Sequence, residues 1–203
     1  MTKILSVNKN NNELKEMTKD CLAIALIMLM DKHPYDKISI VDICDKAGVS
    51  RNAFYRNFTA KDAILRYYFY KETDIWRRDL RTLYNVTYKR YFTMLYEQCY
   101  KFRHAIRKMI NAELSYIVID IFFTFFKDFT KDNNHHLYNN CHLAGSTHAI
   151  MIHWIMNKQP ETPEELAIIT CNLHNIPQDK EVLFSSPSPI SELMTSSTFT
   201  YKR

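Results

Sequence analysis

Glycine is almost absent from this chain, which has only two, Gly48 and Gly145, among 203 residues. Folds built from β-strands need many tight turns, and glycine supplies the backbone conformations that those turns adopt. Hydrophobic residues make up 46% of the chain, enough to fill a sizeable core. We therefore predict an all-α protein in which one small domain is fused to one larger domain.

The cysteines and the apolar runs indicate the kind of compartment in which the chain works. The five cysteines include no Cys-x-x-Cys pair, which argues against a disulfide framework or a zinc finger. The longest apolar runs, residues 21–30 and 114–126, are too short to span a bilayer. The first residues also lack the basic and then apolar pattern of a signal peptide. These features predict a cytoplasmic protein with no membrane segment.

The N-terminal region predicts a loose arm followed by a helix. Residues 1–9 carry no periodicity, and we assign them to the arm. A first helix is predicted from about Asn11 to Lys32, and Pro34 ends it. Its apolar residues at helical spacing are Leu14, Met17, Cys21, Ala25, Met28 and Leu29.

Two short helices separated by a tight turn follow. Ser39 and Asp42 have the spacing of a capping box, which begins the first of them. Gly48 stands where a helix ends in a left-handed residue, and Ser50 can cap the second helix almost at once. A three-residue connection between two short helices is typical of a helix-turn-helix.

This segment, residues 38–65, closely resembles the N-terminal signature of the TetR family of bacterial transcriptional regulators. The resemblance extends over about residues 10–70. It implies a homodimer shaped like the letter Ω, two DNA-binding heads, and a C-terminal domain that holds an effector pocket and the dimer interface. The matching positions are Ser39, Asp42-Ile43, Ala47-Gly48-Val49-Ser50, Phe54-Tyr55, Phe58, Lys61-Asp62 and Leu65.

The helix that begins after Ser50 must divide its residues between packing and DNA contact. Phe54 and Phe58, one turn apart, are predicted to face the core. The exposed N-terminal end of the second helix is the end that meets base edges in a helix-turn-helix. Arginine can bond guanine, asparagine can bond adenine, and alanine can lie against a thymine methyl group. The predicted base-reading residues are Arg51, Asn52 and Ala53.

Other residues of the motif carry hydroxyl, amide or ammonium donors suited to the phosphate backbone. The resemblance implies that they position the head on DNA without reading sequence. For Tyr55 and Asn57 the alternative is simple capping and packing, and for Lys61 it is a solvated charge. The predicted phosphate-binding residues are Ser39, Ser50, Tyr55, Asn57 and Lys61.

The rest of the chain predicts a larger helical domain and a tail. Thr59 and Asp62 are predicted to begin a long fourth helix, and Thr162 to cap the last helix in a second strong capping box. The expected domains are residues 1–60, which bind DNA, 61–176, which bind an effector and dimerise, and a mobile Ser/Thr/Pro-rich tail at 177–203. Further helices are predicted at 87–108, 111–132, 136–158 and 163–174.

Histidine and aromatic residues are the candidates for a metal site and an effector site, and neither set has a specific pattern. His142, His148 and His153 are six and five residues apart, whereas zinc sites on helices favour a spacing of four, so we predict no metal and no cofactor. Aromatic residues at 88–102 and 122–129 could line a pocket, but most are expected in the core, and we assign no residue to the effector.

Together these features predict a TetR-type regulator, and we expect a repressor. It binds double-stranded DNA at a palindromic operator as a homodimer through the helices at about 136–158 and 163–174, and a small-molecule effector releases it. One alternative is a regulator that works through a protein partner with weak DNA contact. A small-molecule-binding enzyme is a second alternative, disfavoured because we find no Gly-rich phosphate loop, nucleophile elbow or assignable carboxylate pair. We therefore predict no enzymatic activity.

Overall fold

The computed structural model describes residues 2–126 and 134–182, and within these ranges all the named elements are helices. This confirms the all-α prediction. A short 3-10 helix, Tyr35–Lys37, precedes α2. The α-helices are α1 (Thr2–Met30), α2 (Ile40–Ala47), α3 (Arg51–Asn57), α4 (Lys61–Arg81), α5 (Tyr88–Lys101), α6 (Arg103–Asn111), α7 (Ser115–Thr124), α8 (Asn134–Met156) and α9 (Pro163–Leu173).

The chain divides into two compact units, and the division falls between Lys71 and Glu72, inside α4. The boundary expected from the sequence lay at residue 60, just before α4 begins. A continuous helix carries no local sign of where one unit stops and the next starts, because its hydrogen bonds and side-chain spacing run unchanged across the division.

Helix α1 differs from its prediction in length and in buried face. It begins at Thr2, so residues 2–9 are helical and do not form the loose arm we expected. No glycine or proline occurs before Pro34 to interrupt it. Leu14 and Met17 are 62% and 63% exposed, although they belong to the predicted apolar stripe. From Asn11 onward, where the side chains of α1 are described, the buried ones are Leu22, Ala23, Ala25, Leu26 and Met30.

The first unit is held together by an apolar centre and a polar link between α1 and α4. Leu26 of α1, Ile43 of α2 and Phe54 of α3 are fully buried in it. The Tyr67 hydroxyl donates to carboxylate oxygens of Glu16 (3.1 Å) and Asp20 (2.8 Å). The Lys71 ammonium lies 2.6 Å from Asp20, so one carboxylate of α1 joins two residues of α4.

The second unit is built on close packing of α5 against α9, with α8 beside them. The Tyr96 hydroxyl and Thr170 Oγ1 lie 2.7 Å apart between α5 and α9. Trp154 of α8 packs edge-on against the Tyr96 ring and donates its indole N–H to the Glu161 carbonyl. Thr162 caps α9 in the predicted capping box with Glu165. These buried polar side chains fix how the helices meet, because each is hydrogen bonded.

The second unit departs from the predicted helix boundaries at two places. The helix predicted at 87–108 is interrupted at Phe102, which joins α5 to α6. The helix predicted from residue 111 begins at Ser115, because Glu113 adopts a left-handed conformation (φ 62°) that interrupts a right-handed helix. The predicted end of that helix, at residue 132, lies outside the described residues.

Part of the predicted mobile tail is ordered. Residues 177–182 run beside the segment before α5, where the Tyr88 N–H donates to the Lys180 carbonyl and the Val182 N–H to the Val86 carbonyl. Val182 is buried. Residues 183–203 lie outside the described residues, and for them the mobile tail stays a prediction.

Within the described part of the chain, no helix is both long and apolar enough to cross a bilayer. Over the same residues, no three His, Cys, Asp or Glu side chains come together in a group that could hold a metal ion.

Candidate nucleic-acid interface

The turn between α2 and α3 has the geometry that the sequence predicts. Ser39 caps α2 in a complete capping box with Asp42. Gly48 ends α2 with φ 68°, a conformation that costs a residue with a Cβ more than it costs glycine. The Val49 N–H then donates to the Cys44 carbonyl at 3.0 Å, which closes the turn. The Ser50 hydroxyl accepts the Ala53 N–H and starts α3. The two helices therefore form a helix-turn-helix.

Helix α3 is anchored by one face and open on the other. Phe54 is fully buried and Phe58 is 7% exposed, and their rings lie 6.2 Å apart. Of the predicted base-reading residues, Arg51 and Asn52 are exposed and Ala53 is half-buried. The donor groups of Arg51 and Asn52 are thus accessible at the N-terminal end of the helix, as base reading requires.

The open face of α3 forms a shallow depression lined by Ser50, Asn52, Tyr55 and Arg56. Tyr55 is 61% exposed, and its ring packs edge-on against Phe54 with 5.1 Å between centroids. The contact with Phe54 fixes the ring, while most of the side chain stays accessible to solvent. Arg56 was not among the predicted site residues. It lies four residues, or one helical turn, after Asn52 and therefore on the same side of α3. That spacing, together with the suitability of arginine for phosphate, could have identified Arg56 from the sequence.

The two capping serines, Ser39 and Ser50, differ in whether the hydroxyl proton is already used in a hydrogen bond. Ser39 Oγ donates to Asp42 Oδ2 at 2.7 Å, so its proton is already engaged. That hydrogen bond and the one from the Ser39 N–H lower the pKa of Asp42, which keeps this exposed carboxylate negative beside any phosphate. Ser50 Oγ only accepts, and its proton can still be donated. The phosphate role predicted for both stays a prediction, and Ser50 is the better placed.

Asn57 turns its amide back onto its own helix. The Nδ2 group donates to the Ala53 carbonyl at 2.7 Å, one turn earlier. Asn57 Oδ1 is buried and has no hydrogen-bond partner among the described residues. Because an amide oxygen cannot donate, only the second Nδ2 proton could reach a phosphate. The geometry places Asn57 as a stabiliser of α3, and its phosphate role stays a prediction.

Lys61, the first residue of α4, is tied to the turn before α2. Its ammonium donates to the carbonyls of Tyr35 (2.8 Å) and Ile38 (2.6 Å) and lies 4.4 Å from the centre of the Tyr35 ring. The alternative of a solvated charge therefore does not describe it. Two of the three ammonium protons are engaged, which leaves one for a phosphate at the same surface.

We expect Lys61→Met to lower the stability of the first unit by roughly 1–3 kcal/mol, because two backbone carbonyls lose a charged donor. It should also weaken binding to matched and scrambled DNA about equally, as a phosphate contact does. Chemical denaturation and gel-shift titration measure the two effects. Lys46→Met removes the same charge from an exposed residue of α2 and is the control. Equal stability of the two variants would contradict the structural part of this prediction.

Comparison with known proteins agrees with this geometry. Residues 25–68 match the family model described as bacterial regulatory proteins, tetR family. No curated protein matches the chain.

Two solved structures share the fold. One is a TetR transcriptional regulator from Streptococcus agalactiae 2603V, with a TM-score of 0.58 and 18% identity over 82% of this chain and 98% of that one. The other is the dihydroxyacetone kinase operon activator DhaS, with a TM-score of 0.54 and 18% identity over 77% and 93%. At this level of identity the likeness shows the helical fold alone.

Proposed function

We propose that this chain is a member of the TetR family of transcriptional regulators, whose family model matches residues 25–68. In this proposal it is a repressor that binds a palindromic operator as a homodimer and leaves it when a small molecule binds the second unit. The DNA-binding part of the proposal rests on the two faces of α3, one buried and one exposed. Phe54 fixes the helix to the first unit, while Arg51, Asn52 and Arg56 present donors on the opposite, open side.

Each donor suits a different part of a DNA duplex. Arg51 and Asn52 lie at the end of α3 that enters the major groove, where they can read guanine and adenine edges. Arg56, Tyr55 and Ser50 lie around the same depression and suit phosphate oxygens on the groove's rim. Ala53, half-buried, can contact a thymine methyl group only if the helix lies deep in the groove.

Regulators of this family bind DNA and are usually dimers, and α8 and α9 carry the surface that we propose for dimerisation. Ala149 and Met156 are exposed on α8, and Gly145 offers open space, since an added Cβ would meet nothing within 4 Å. On α9, Ile169 and Leu173 are 39% and 63% exposed. The α8 residues that recur at alternating spacings of three and four are His142, Gly145, Ala149, Ile152 and Met156. Small and apolar residues at this spacing suit helix against helix.

We expect Ala149→Glu to convert the dimer to a monomer, because the new carboxylate would be buried without a partner at the interface. Sedimentation of the purified protein across a range of concentrations measures this. His104→Glu adds a carboxylate at an exposed residue of α6 and should leave the dimer intact. A variant at Ala149 that dimerises as tightly as the control would place the interface elsewhere.

Release by an effector requires two head spacings that differ in their fit to the operator. A ligand that binds both arrangements equally shifts nothing, so the effector must prefer the arrangement that misfits DNA. In this proposal the effector binds among the buried aromatic side chains of the second unit, and the dimer transmits the change in spacing to both heads.

Selection of bound sites from random double-stranded DNA by the full-length chain tests the proposal. A homodimer with one head per half-site should enrich a two-fold symmetric sequence, with half-sites one helical turn, about 10 base pairs, or a multiple of it apart. Enrichment of a single asymmetric site, or of none, would count against it.

A further inference from the structure

An aromatic cluster occupies the middle of the second unit. The Trp76 ring lies 4.8 Å from Phe125 and 5.7 Å from Tyr91, in edge-to-face arrangements. Phe122 lies 5.9 Å from Phe125 and 5.7 Å from Phe126. Helices α4, α5 and α7 thus contribute rings to one apolar region, with Phe122 at its α8 side.

The polar atoms inside this cluster are satisfied by the protein itself. The Tyr91 hydroxyl donates to the Phe125 carbonyl at 2.6 Å. The Trp76 indole N–H donates to the Met94 carbonyl at 3.2 Å. Buried polar groups in folded proteins are nearly always paired in this way, so an unpaired one at the edge of the cluster requires an explanation.

His148 of α8 is that exception. Its ring packs against Phe122, 5.4 Å between centroids and close to perpendicular. Its Nε2 atom is buried and has no hydrogen-bond partner within the described part of the chain. The preceding residue, Thr147, is fully buried, and its hydroxyl also lacks a partner there. Two adjacent residues of one helix therefore hold unused hydrogen-bonding groups, and one of them, His148, lies against an aromatic ring.

We propose that His148 Nε2 is the hydrogen-bonding anchor for the effector, and that the effector is a small, neutral, ring-containing molecule with a hydroxyl group, packed against Phe122. This assignment rests on the proposed function, since it supplies the ligand class for the regulator's second unit. Thr147 Oγ1, on the preceding residue, is a second buried group without a partner in the described part of the chain.

The surroundings select the chemistry of the ligand. Burial lowers the pKa of His148 to about 4, so the imidazole is neutral near pH 7 and offers no charge to an anion. A carboxylate moved into such apolar surroundings would lose its hydration without gaining an ion pair. A hydroxyl both donates and accepts, so it can pair with Nε2 in either tautomer of the ring. An aromatic ring adds edge-to-face contact with the cluster.

Three probes of nearly equal size separate these effects in the full-length protein: 4-ethylphenol, ethylbenzene and 4-ethylbenzoate. Calorimetric titration should show 4-ethylphenol binding at least tenfold more tightly than ethylbenzene, and 4-ethylbenzoate binding most weakly. Absence of binding by all three, equal binding of the phenol and the hydrocarbon, or preference for the anion would each overturn the assignment.

Variants locate the effect at His148. His148→Phe should bring the affinity for 4-ethylphenol down to that for ethylbenzene, while the unliganded protein unfolds at the same or a higher temperature, because a buried unpaired group is removed. Thr147→Val should lose less than His148→Phe. His104→Phe changes an exposed histidine of α6 and should keep the tenfold preference. Retention of that preference in His148→Phe would overturn the assignment even if the wild-type protein binds the phenol.

Failure of this inference and failure of the proposed function give different results. DNA binding is measured on the protein without any probe. If the wild-type protein binds its operator but does not prefer 4-ethylphenol to ethylbenzene, only the ligand assignment is wrong. Phenol binding by a protein that does not bind DNA removes the transcriptional role and leaves the assignment standing.

Discussion

Phe54→Ala is expected to abolish DNA binding by unfolding the first unit. The Phe54 side chain is fully buried and its ring contacts both Tyr55 and Phe58, so truncation leaves a cavity at the buried face of a seven-residue helix. Replacement of a buried phenylalanine by alanine costs about 3–5 kcal/mol, comparable to the whole stability of a small domain. Circular dichroism during urea unfolding should show that the variant loses helix at a lower urea concentration than the wild-type protein.

Tyr55→Ala is the matched control for that experiment. Tyr55 is the neighbouring residue of α3 and its side chain is mostly exposed, so its truncation should cost less than about 1 kcal/mol of stability. It should weaken DNA binding through loss of the phenol side chain, without unfolding the first unit. If Phe54→Ala and Tyr55→Ala unfold at the same urea concentration, the buried anchor assigned to α3 is wrong.

Arg51→Ala is expected to relax the sequence preference of the protein. Arg51 is exposed at the N-terminal end of α3, and an arginine that bonds guanine in bidentate fashion contributes about 1–3 kcal/mol of discrimination. The matched site should therefore lose this affinity while scrambled DNA loses little. Gel-shift titration on the two sequences measures the difference.

Two further arginines make the assignment of Arg51 specific. Arg56→Ala should weaken binding to matched and scrambled DNA alike, because a phosphate contact carries no sequence information. Arg90→Ala removes the same charge from an exposed residue of α5 in the second unit and should change neither affinity appreciably. An Arg51 variant that behaves like the Arg90 variant would remove Arg51 from the base-reading set.

The helix-turn-helix could be predicted closely because local rules determine it. The Ser39 and Asp42 spacing, the glycine at residue 48 and the cap at Ser50 each act within one helical turn, and the structure shows all three. The same holds for Thr162 and α9. The pairing of α8 and α9 with a partner has no such local signature and stays a prediction.

Features that depend on tertiary context escaped prediction. The buried face of α1 differs from the predicted stripe because residues 21–30 are apolar on every side of the helix, and only the contacts of the folded unit choose between those sides. Lys61 was predicted as a phosphate-binding residue, and the hydrogen bonds from its ammonium to the carbonyls of Tyr35 and Ile38, more than 20 residues earlier in the chain, could not be foreseen from the sequence. The break at Phe102 carries neither glycine nor proline, so no local signal indicated it.

Titration of the selected operator across a range of salt concentrations tests the central claim most directly. A protein that binds through Arg51, Asn52 and the surrounding phosphate contacts should prefer that operator to scrambled DNA at every concentration, and log affinity should fall linearly with log salt, steeply enough to report several phosphate contacts. Affinity that does not vary with salt, or equal affinity for both sequences, would contradict operator reading by α3. Near-zero salt dependence would favour a regulator that works through a protein partner.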